Sequence, residues 1–258
     1  MKKARWEVVY DGLRGSIESG ELAPGDTVPG ELALCEDYGV SRPTVRTALG
    51  KLEQEGLITV GAGRLGRKVR KYEPAVWHLT EWERGDRRDD AARGIDDWAA
   101  DMIAQGKKPR QQVSVRGIPA SRQVARWLDV EPNTMLIRRR RIRIADDEAV
   151  SIADSWFPQD IADRECVVDG RKIKPIMTEA DIAVAGGFIN AMGIKQVRYF
   201  DEIRARVATP EEQELLDIGA DPVGEHARVG IDKTGRRIRV IVSVFPGDRM
   251  YLALTLEA

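Results

Sequence analysis

The chain has 258 residues, with 41 lysines and arginines against 42 aspartates and glutamates and a formal net charge of −1. So even a balance excludes a generally basic, histone-like binder, and any contact with nucleic acid has to come from a local patch. Cys35, Cys166, His78 and His226 stand at no zinc-ligand spacing, so neither metal nor cofactor is expected. With no apolar run of membrane length and no signal-like N-terminus, a soluble cytoplasmic protein without a membrane partner is expected.

The most informative stretch runs from Pro29 to Ile58. A first helix is predicted from Glu31 to about Tyr38, burying Leu32, Leu34 and Cys35, and ending at Gly39, which supplies the left-handed conformation of a sharp turn. A second helix opens with Ser41 as N-cap and Pro43 in its first turn, where a missing N–H costs nothing. Val45, Ala48, Leu49 and Leu52 recur at helical spacing and form its buried stripe. Arg42 and Arg46 flank that stripe near the N-terminal end, and Gly56 closes the helix.

Leu57–Val60 is β-prone, Gly61-Ala-Gly63 is a turn, and Arg64–Lys71 returns as a basic strand, so a two-stranded wing is predicted after the helices. Residues 1–71 hold 12 basic and 10 acidic side chains, a net of +2 that decides little. Their distribution decides more, because residues 61–72 carry five positive charges and no acidic one. A basic wing beside an arginine-bearing helix is the electrostatic footprint of a phosphate-binding face. The helix start alone would equally suit an ordinary capped surface helix; the turn, the wing and the basic return strand together favour DNA.

Residues 6–70 resemble the N-terminal domain of GntR-type bacterial transcription regulators. The resemblance is carried by Gly20…Pro24-Gly25-Asp26…Pro29…Glu31-Leu32, then Gly39-Val-Ser-Arg42…Thr44-Val-Arg46…Ala48-Leu49…Leu52…Glu55-Gly56-Leu57-Ile58. It implies that Ser41, Arg42, Thr44 and Arg46 contact DNA and that Gly63 at the wing tip reaches the minor groove or backbone. Pro43 and Arg64 stand among these as further candidate DNA contacts. One departure is Gly30, where the family usually has serine, a weaker cap for the first helix.

At this length two domains are expected: 1–71 as the winged helix-turn-helix, 72–95 as a linker with a charged middle, and 96–258 as the second domain. Within the linker, Trp77, Leu79 and Trp82 alternate and would suit a short strand; the two tryptophans read as packing residues. Beyond it the predicted elements are a helix at 96–105, a strand at 111–117, a helix at 121–128 and long strands at 135–145 and 149–157. An interrupted helix at 179–192, a strand at 195–208, a helix at 210–219 and strands at 223–232, 237–245 and 250–256 follow. Mostly antiparallel strands with helices between them make an α+β fold.

This second part resembles the effector-binding domain of the HutC branch of the GntR regulators, the UTRA domain, with a chorismate-lyase-like fold. The matching pieces are "RIRIADDEAVSIADSWFP" at 141–158, "GGFINAMGI" at 186–194, "EIRARVATPEEQELLDIGADPV" at 202–223 and "GRRIRVIVSVFPGDRMYL" at 235–252. Alternation puts Arg139, Arg141 and Arg143 on one face of a strand, and such a row needs counter-charges. Either Asp154, Glu202 or another carboxylate supplies them, or a bound anion does. By resemblance, Arg141 and Arg143 match positions that hold an anionic part of the effector. Gly186-Gly187 either sets the N-terminus of the following helix near the same place, another natural anion site, or makes a simple turn. The resemblance further marks Arg239, where members binding sugar phosphates carry glutamate, and Ala153, where another acidic residue stands. An effector more anionic than an aminosugar phosphate, or more apolar near Trp156 and Phe245, is therefore expected.

The expected function is a sequence-specific DNA-binding transcription regulator, a homodimeric repressor released from a palindromic operator by a small, anionic effector. The alternative is an effector-independent plasmid or architectural DNA-binding repressor. No Ser-His-Asp, Cys-His or metal constellation is assembled, so no enzyme is expected in spite of the lyase-like fold.

Overall fold

The computed structural model describes residues 3–59, 66–79, 96–168, 170–180, 184 and 187–255. The chain divides into two compact units, Met1–Glu73 with Val207–Asp221, and Pro74–Arg206 with Pro222–Ala258.

In the first unit, α1 spans Arg5–Glu18, α2 Glu31–Tyr38 and α3 Arg42–Gln54. The sequence reading did not foresee α1. Its start is held by the Glu7 carboxylate, which accepts from the Ala4 N–H at 2.8 Å. Val9 and Leu13, one turn apart, pack with Leu34 of α2 and with Val45, Ala48, Leu49 and Leu52 of α3. Fully burying such a side chain contributes about 1.5–3 kcal/mol. Gly39 ends α2 at φ 61°, ψ 39°, which turns the chain tightly into α3. Two corrections belong here. Leu32 is exposed, because an eight-residue helix against two neighbours buries only a narrow stripe, and Leu34 occupies it. The wing is also more than a hairpin. Ile58 bridges Val69, but Thr27 bridges Lys68 from the other side, so the return chain lies between two extended segments. Val28 N–H to Arg67 O (2.8 Å) and Thr59 N–H to Lys68 O (2.9 Å) flank it.

The same unit contains α8, Pro210–Leu216, capped reciprocally by Thr209 and Glu212. Arg70 Nη2 lies 3.3 Å from Asp221 Oδ1 at the end of that segment.

The second unit is built on a six-stranded sheet of order β2-β3-β4-β9-β8-β7. The strands are β2 Pro109–Pro119, β3 Met135–Ala145, β4 Glu148–Pro158, β7 Gln196–Val207, β8 Pro222–Asp232 and β9 Arg237–Pro246. The β3–β4 turn places Asp146 and Asp147 at φ 52° and 67°, the positive pair that suits a tight hairpin. On one face, α5 (Arg122–Leu128) lays Val124, Ala125, Trp127 and Leu128 over Leu136, Trp156, Ala227, Val229 and Val240. On the other face there are two separate apolar clusters. One joins Ile137, Phe157 and Ile238 to α6 (Gln159–Ala162), α7 (Gly187–Ala191) and the β5–β6 hairpin, Cys166–Val168 with Arg171–Ile173. The second joins Ala145, Val150 and Phe245 to α4 (Asp97–Ala104), β1 (Ala75–His78) and β10 (Met250–Ala253).

Several boundaries differ from the sequence reading. β1 falls inside the expected linker and pairs in parallel with β10, with Trp77 and Leu79 buried. Trp82 lies outside the described residues. Of the helix expected at 179–192 the described residues show α7; Glu179 and Ala180 are not helical, and 181–183, 185 and 186 lie outside the described residues. The β5–β6 hairpin and α6 were not foreseen.

Candidate DNA-reading face and effector site

α3 starts at Arg42 with Pro43 second, so the proline occupies a position whose N–H has no helical partner. Ser41 stands at the N-cap with extended backbone, but its hydroxyl makes no cap bond to the backbone. Its Oγ instead lies 2.9 Å from Thr44 Oγ1, which corrects the expected cap. Ser41, Arg42, Pro43 and Arg46 are exposed, and Thr44 is half-buried. Arg42 makes no hydrogen bond or ion pair among the described residues. Arg46 Nε donates to Glu31 Oε2 at 2.9 Å. Glu31 Oε1 lies 3.7 Å from Arg67 Nη1, and Arg67 Nε donates to Glu53 Oε1 at 2.6 Å. A chain of alternating charges therefore links α2, α3 and the wing's return segment. Gly63 and Arg64 lie outside the described residues.

In the second unit, cross-strand register sets the polar face. Arg141 faces Ala153, which faces Ser243, which faces His226. In the next row Arg139 faces Ser155, then Ile241, then Arg228. Arg143 faces Ser151. Directly opposite residues share a face, so these arginines and serines form one polar strip between the two apolar clusters. Arg139 and Arg143 are buried, and Arg141 is half-buried. At one end the Arg139 guanidinium lies 5.3 Å from the Phe188 ring, and its Nη2 donates to Ala180 O at 3.0 Å. At the other end the Arg143 guanidinium lies 4.2 Å from the Trp77 ring and 5.4 Å from that of Trp98. Each such stacking contributes about 0.5–2 kcal/mol. Ser151 Oγ and Ser243 Oγ are buried with no hydrogen-bond partner among the described residues.

The two carboxylates offered as counter-charges are used elsewhere. Asp154 is on the opposite face, bidentate with Arg140 at 2.7 and 2.8 Å. Glu202 accepts from the Trp127 indole at 3.2 Å and from Arg126 at 2.8 Å, in that order holding its carboxyl below the ordinary range. Asp201 receives His226 Nε2 and Arg228 Nε, each at 2.7 Å. Burial by itself raises the Asp201 pKa, but these hydrogen bonds and the Arg228 charge outweigh it and bring the pKa down to about 2.

Of the other expected effector residues, Arg239 shares the face with Ile241 and donates from Nε to Gln196 Oε1 at 2.9 Å. Phe245 packs in the cluster of Trp77 and Trp98. Gly187, at φ 80°, opens the five-residue α7. Trp156 is a correction: it faces Arg138, whose guanidinium lies 5.8 Å from its ring, and packs under α5 on the other side of the sheet. Ser151, Ser243, His226 and Asp201 were missed; the parity that grouped the arginines would have found the serines once β4 and β9 were placed in register.

An exposed helix start bearing Ser41, Arg42 and Arg46, set on a three-helix core with a wing, defines a DNA-binding head of the winged helix-turn-helix class. Residues 6–64 match the model of the bacterial regulatory proteins of the gntR family, and residues 104–166 match that of the UTRA domain. The chain thus carries the two regions of a HutC-type regulator, a gntR-family head and a UTRA domain, and the proteins it resembles are transcription regulators and not enzymes. It is 28% identical to the HTH-type transcriptional regulator RB1450 of Rhizobium meliloti over 98% of this chain and 96% of that one. It is 34% identical to the regulator GgaR of Escherichia coli, over 57% of this chain and 53% of GgaR. It is 26% identical to the transcriptional repressor NagR of Bacillus subtilis over 93% of this chain and 90% of NagR. The fold is that of PhnF from Mycobacterium smegmatis, with a TM-score of 0.55 at 21% identity over 97% of this chain and 99% of PhnF. Among the described residues no helix is long and apolar enough to cross a membrane.

Proposed function

We propose that this regulator is a cytoplasmic, homodimeric repressor, released from a palindromic operator by a small anionic effector held on the polar strip. The observation that carries the reading is the pair of buried Ser151 and Ser243 hydroxyls, in the rows of Arg143 and Arg141, which meet no protein partner among the described residues. Buried polar groups are nearly always hydrogen-bonded, so such hydroxyls suit a ligand. Arg239 and Ala153 stand where the resemblance marks acidic residues in members that bind sugar phosphates, which favours an effector more anionic than an aminosugar phosphate.

On the DNA side, Ser41, Arg42, Pro43, Thr44 and Arg46 at the start of α3, with Gly63 and Arg64 of the wing, make the contacts. Two heads on one dimer read half-sites about one helical turn apart. Repression is supported by the likeness to NagR, a protein named as a repressor. Release requires that the effector bind one arrangement of the dimer better than the other, because coupling is a difference in binding free energy.

The test is a thermal-shift screen of small organic anions, followed by calorimetry and by anisotropy on a duplex selected from genomic fragments. A stabilising anion is expected to weaken DNA binding at least tenfold. Binding of N-acetylglucosamine 6-phosphate with ordinary affinity would overturn the stated effector chemistry. DNA binding indifferent to every ligand that occupies the strip would favour an effector-independent repressor.

A further inference from the structure

We infer that this chain holds a second small molecule, a carboxylate carried on a compact apolar body, on the face of the sheet opposite the polar strip. This site is separate from the effector strip, and its test reads neither DNA binding nor repression, so either can fail without the other.

Register fixes the face. Val229 of β8 stands opposite Val240 of β9, which stands opposite Trp156 of β4, and all three pack in the core under α5. Arg228, one residue earlier, turns the other way and bonds Asp201. The edge strand β7 keeps the same parity: Asp201 serves His226 on the strip side, whereas Glu202 meets Trp127 of α5. Arg198 and Phe200 share the parity of Glu202 and so lie on the α5 face. Beside the last turn of α5 there is a hollow of about 310 Å³, lined by Arg198, Tyr199, Phe200, Val229, Ile231 and Arg237. That is the small end of the roughly 300–1,000 Å³ of small-molecule sites.

Its charge is one-sided. Val229 and Ile231 make an aliphatic floor, and the half-exposed Phe200 makes an aromatic wall. Two guanidiniums and no carboxylate complete the lining. Arg237 is fixed in place, its Nη1 donating to Arg126 O at 2.7 Å and Trp127 O at 3.2 Å, while its Nε and Nη2 make no hydrogen bond among the described residues. Arg198 makes no hydrogen bond or ion pair among the described residues. The acids nearest in the chain are already used. Glu202 accepts from Trp127 and Arg126, and stands four residues along the strand from Arg198, about 13 Å away. Asp232, next after Ile231, accepts from the Thr234 and Arg236 N–H groups.

Two cations above an apolar floor define what fits. A guanidinium takes a carboxylate through two parallel N–H···O bonds, and the floor takes a ring or a short alkyl body. A cationic ligand meets like charge, a neutral one leaves Arg198 without a counter-charge, and a bare inorganic anion leaves the floor uncovered.

Benzoate is the probe, titrated into the full chain by calorimetry. A dissociation constant below about 1 mM is expected, with benzyl alcohol and benzylamine at least tenfold weaker. In methyl NMR spectra benzoate is expected to shift Val229 and Ile231 and to leave Ile241, on the strip face, in place. Arg198→Gln is expected to weaken benzoate about tenfold or more, and Arg198→Lys to keep part of the affinity, since lysine retains the charge but not the fork. Arg198 is exposed, so neither substitution removes a packed side chain. Absence of binding up to about 10 mM benzoate, benzyl alcohol bound as well as benzoate, or indifference to Arg198→Gln overturns the site. So do methyl shifts confined to Ile241 with binding lost in Arg141→Gln, which would put the probe on the polar strip.

Discussion

Arg46 of the DNA-reading helix is held by Glu31 of the helix before it, Nε to Oε2 at 2.9 Å, while the other oxygen of that carboxylate lies 3.7 Å from Arg67 of the wing. One acidic group thus sits between two cations on the proposed DNA face. It holds Arg46 in the free protein, and under the proposed function DNA competes with it for that arginine.

Glu31→Gln is therefore expected to strengthen binding to duplex DNA several-fold and to steepen its dependence on salt by about one counterion. Fluorescence anisotropy at four or five salt concentrations checks both. An unchanged slope would show that neither arginine meets phosphate.

Arg42 is free of ion pairs among the described residues, whereas Arg46 is paired with Glu31, a pair that DNA would displace under the proposed function. Replacing either by alanine is expected to cost about 1–3 kcal/mol if it reads a base, with the Arg46→Ala loss the smaller of the two because a competing ion pair is lost with it. A mobility-shift series on one duplex measures the order; equal and negligible losses would remove both from the interface.

The head's core predicts its own fragility. Leu52 is wholly buried between α1 and α3, and Leu52→Ala is expected to cost about 2–5 kcal/mol of stability. In urea the helical signal of the head is expected to melt earlier than in the parent chain. DNA binding lost without any change in that melt would be at odds with a packing role.

Asp201 carries the pH dependence. Its pKa of about 2 lies below the ordinary aspartate value, so its ion pairs stabilise the folded state fully above about pH 4 and are lost as pH falls towards 2. With the side chain 29% exposed, screening reduces the contribution to about 1–2 kcal/mol. Asp201→Asn is expected to be less stable by that amount at pH 7, with the gap narrowing between pH 4 and pH 2. Urea titrations at pH 7, 4, 3 and 2.5 test it, and a gap constant across the range would refute the assignment.

Much of this molecule is legible locally, and the exceptions share a cause. The α3 stripe follows from spacing, and the turn at Gly39 from one residue's conformational freedom. The strip of Arg139, Arg141 and Arg143 follows from alternation. Trp156 is expected with Phe245 as an apolar part of the effector site, but the register that sets Ala153 opposite Arg141 turns a residue three positions on to the far side. Asp154 fails as a counter-charge for the same reason. The pairing of Thr27 with Lys68 and of Ala75 with Met250 joins segments far apart in the chain, and no window of sequence contains both partners. The alternation of Trp77 and Leu79 suits a short strand inside the expected linker, and β1 is there, but the partner it pairs with could not be read from that stretch.

β1 and β10 run side by side, Trp77 against Leu252, and the same Trp77 lies over Arg143. The last strand of the chain is thus the clasp that keeps an aromatic lid shut over one end of the arginine row. Cutting away Met250–Ala253 is expected to loosen that lid while leaving the head, which has no residue in the clasp, able to grip DNA. A hybrid regulator made by exchanging heads should accordingly be joined ahead of Ala75, so that the lid travels with the sheet it covers.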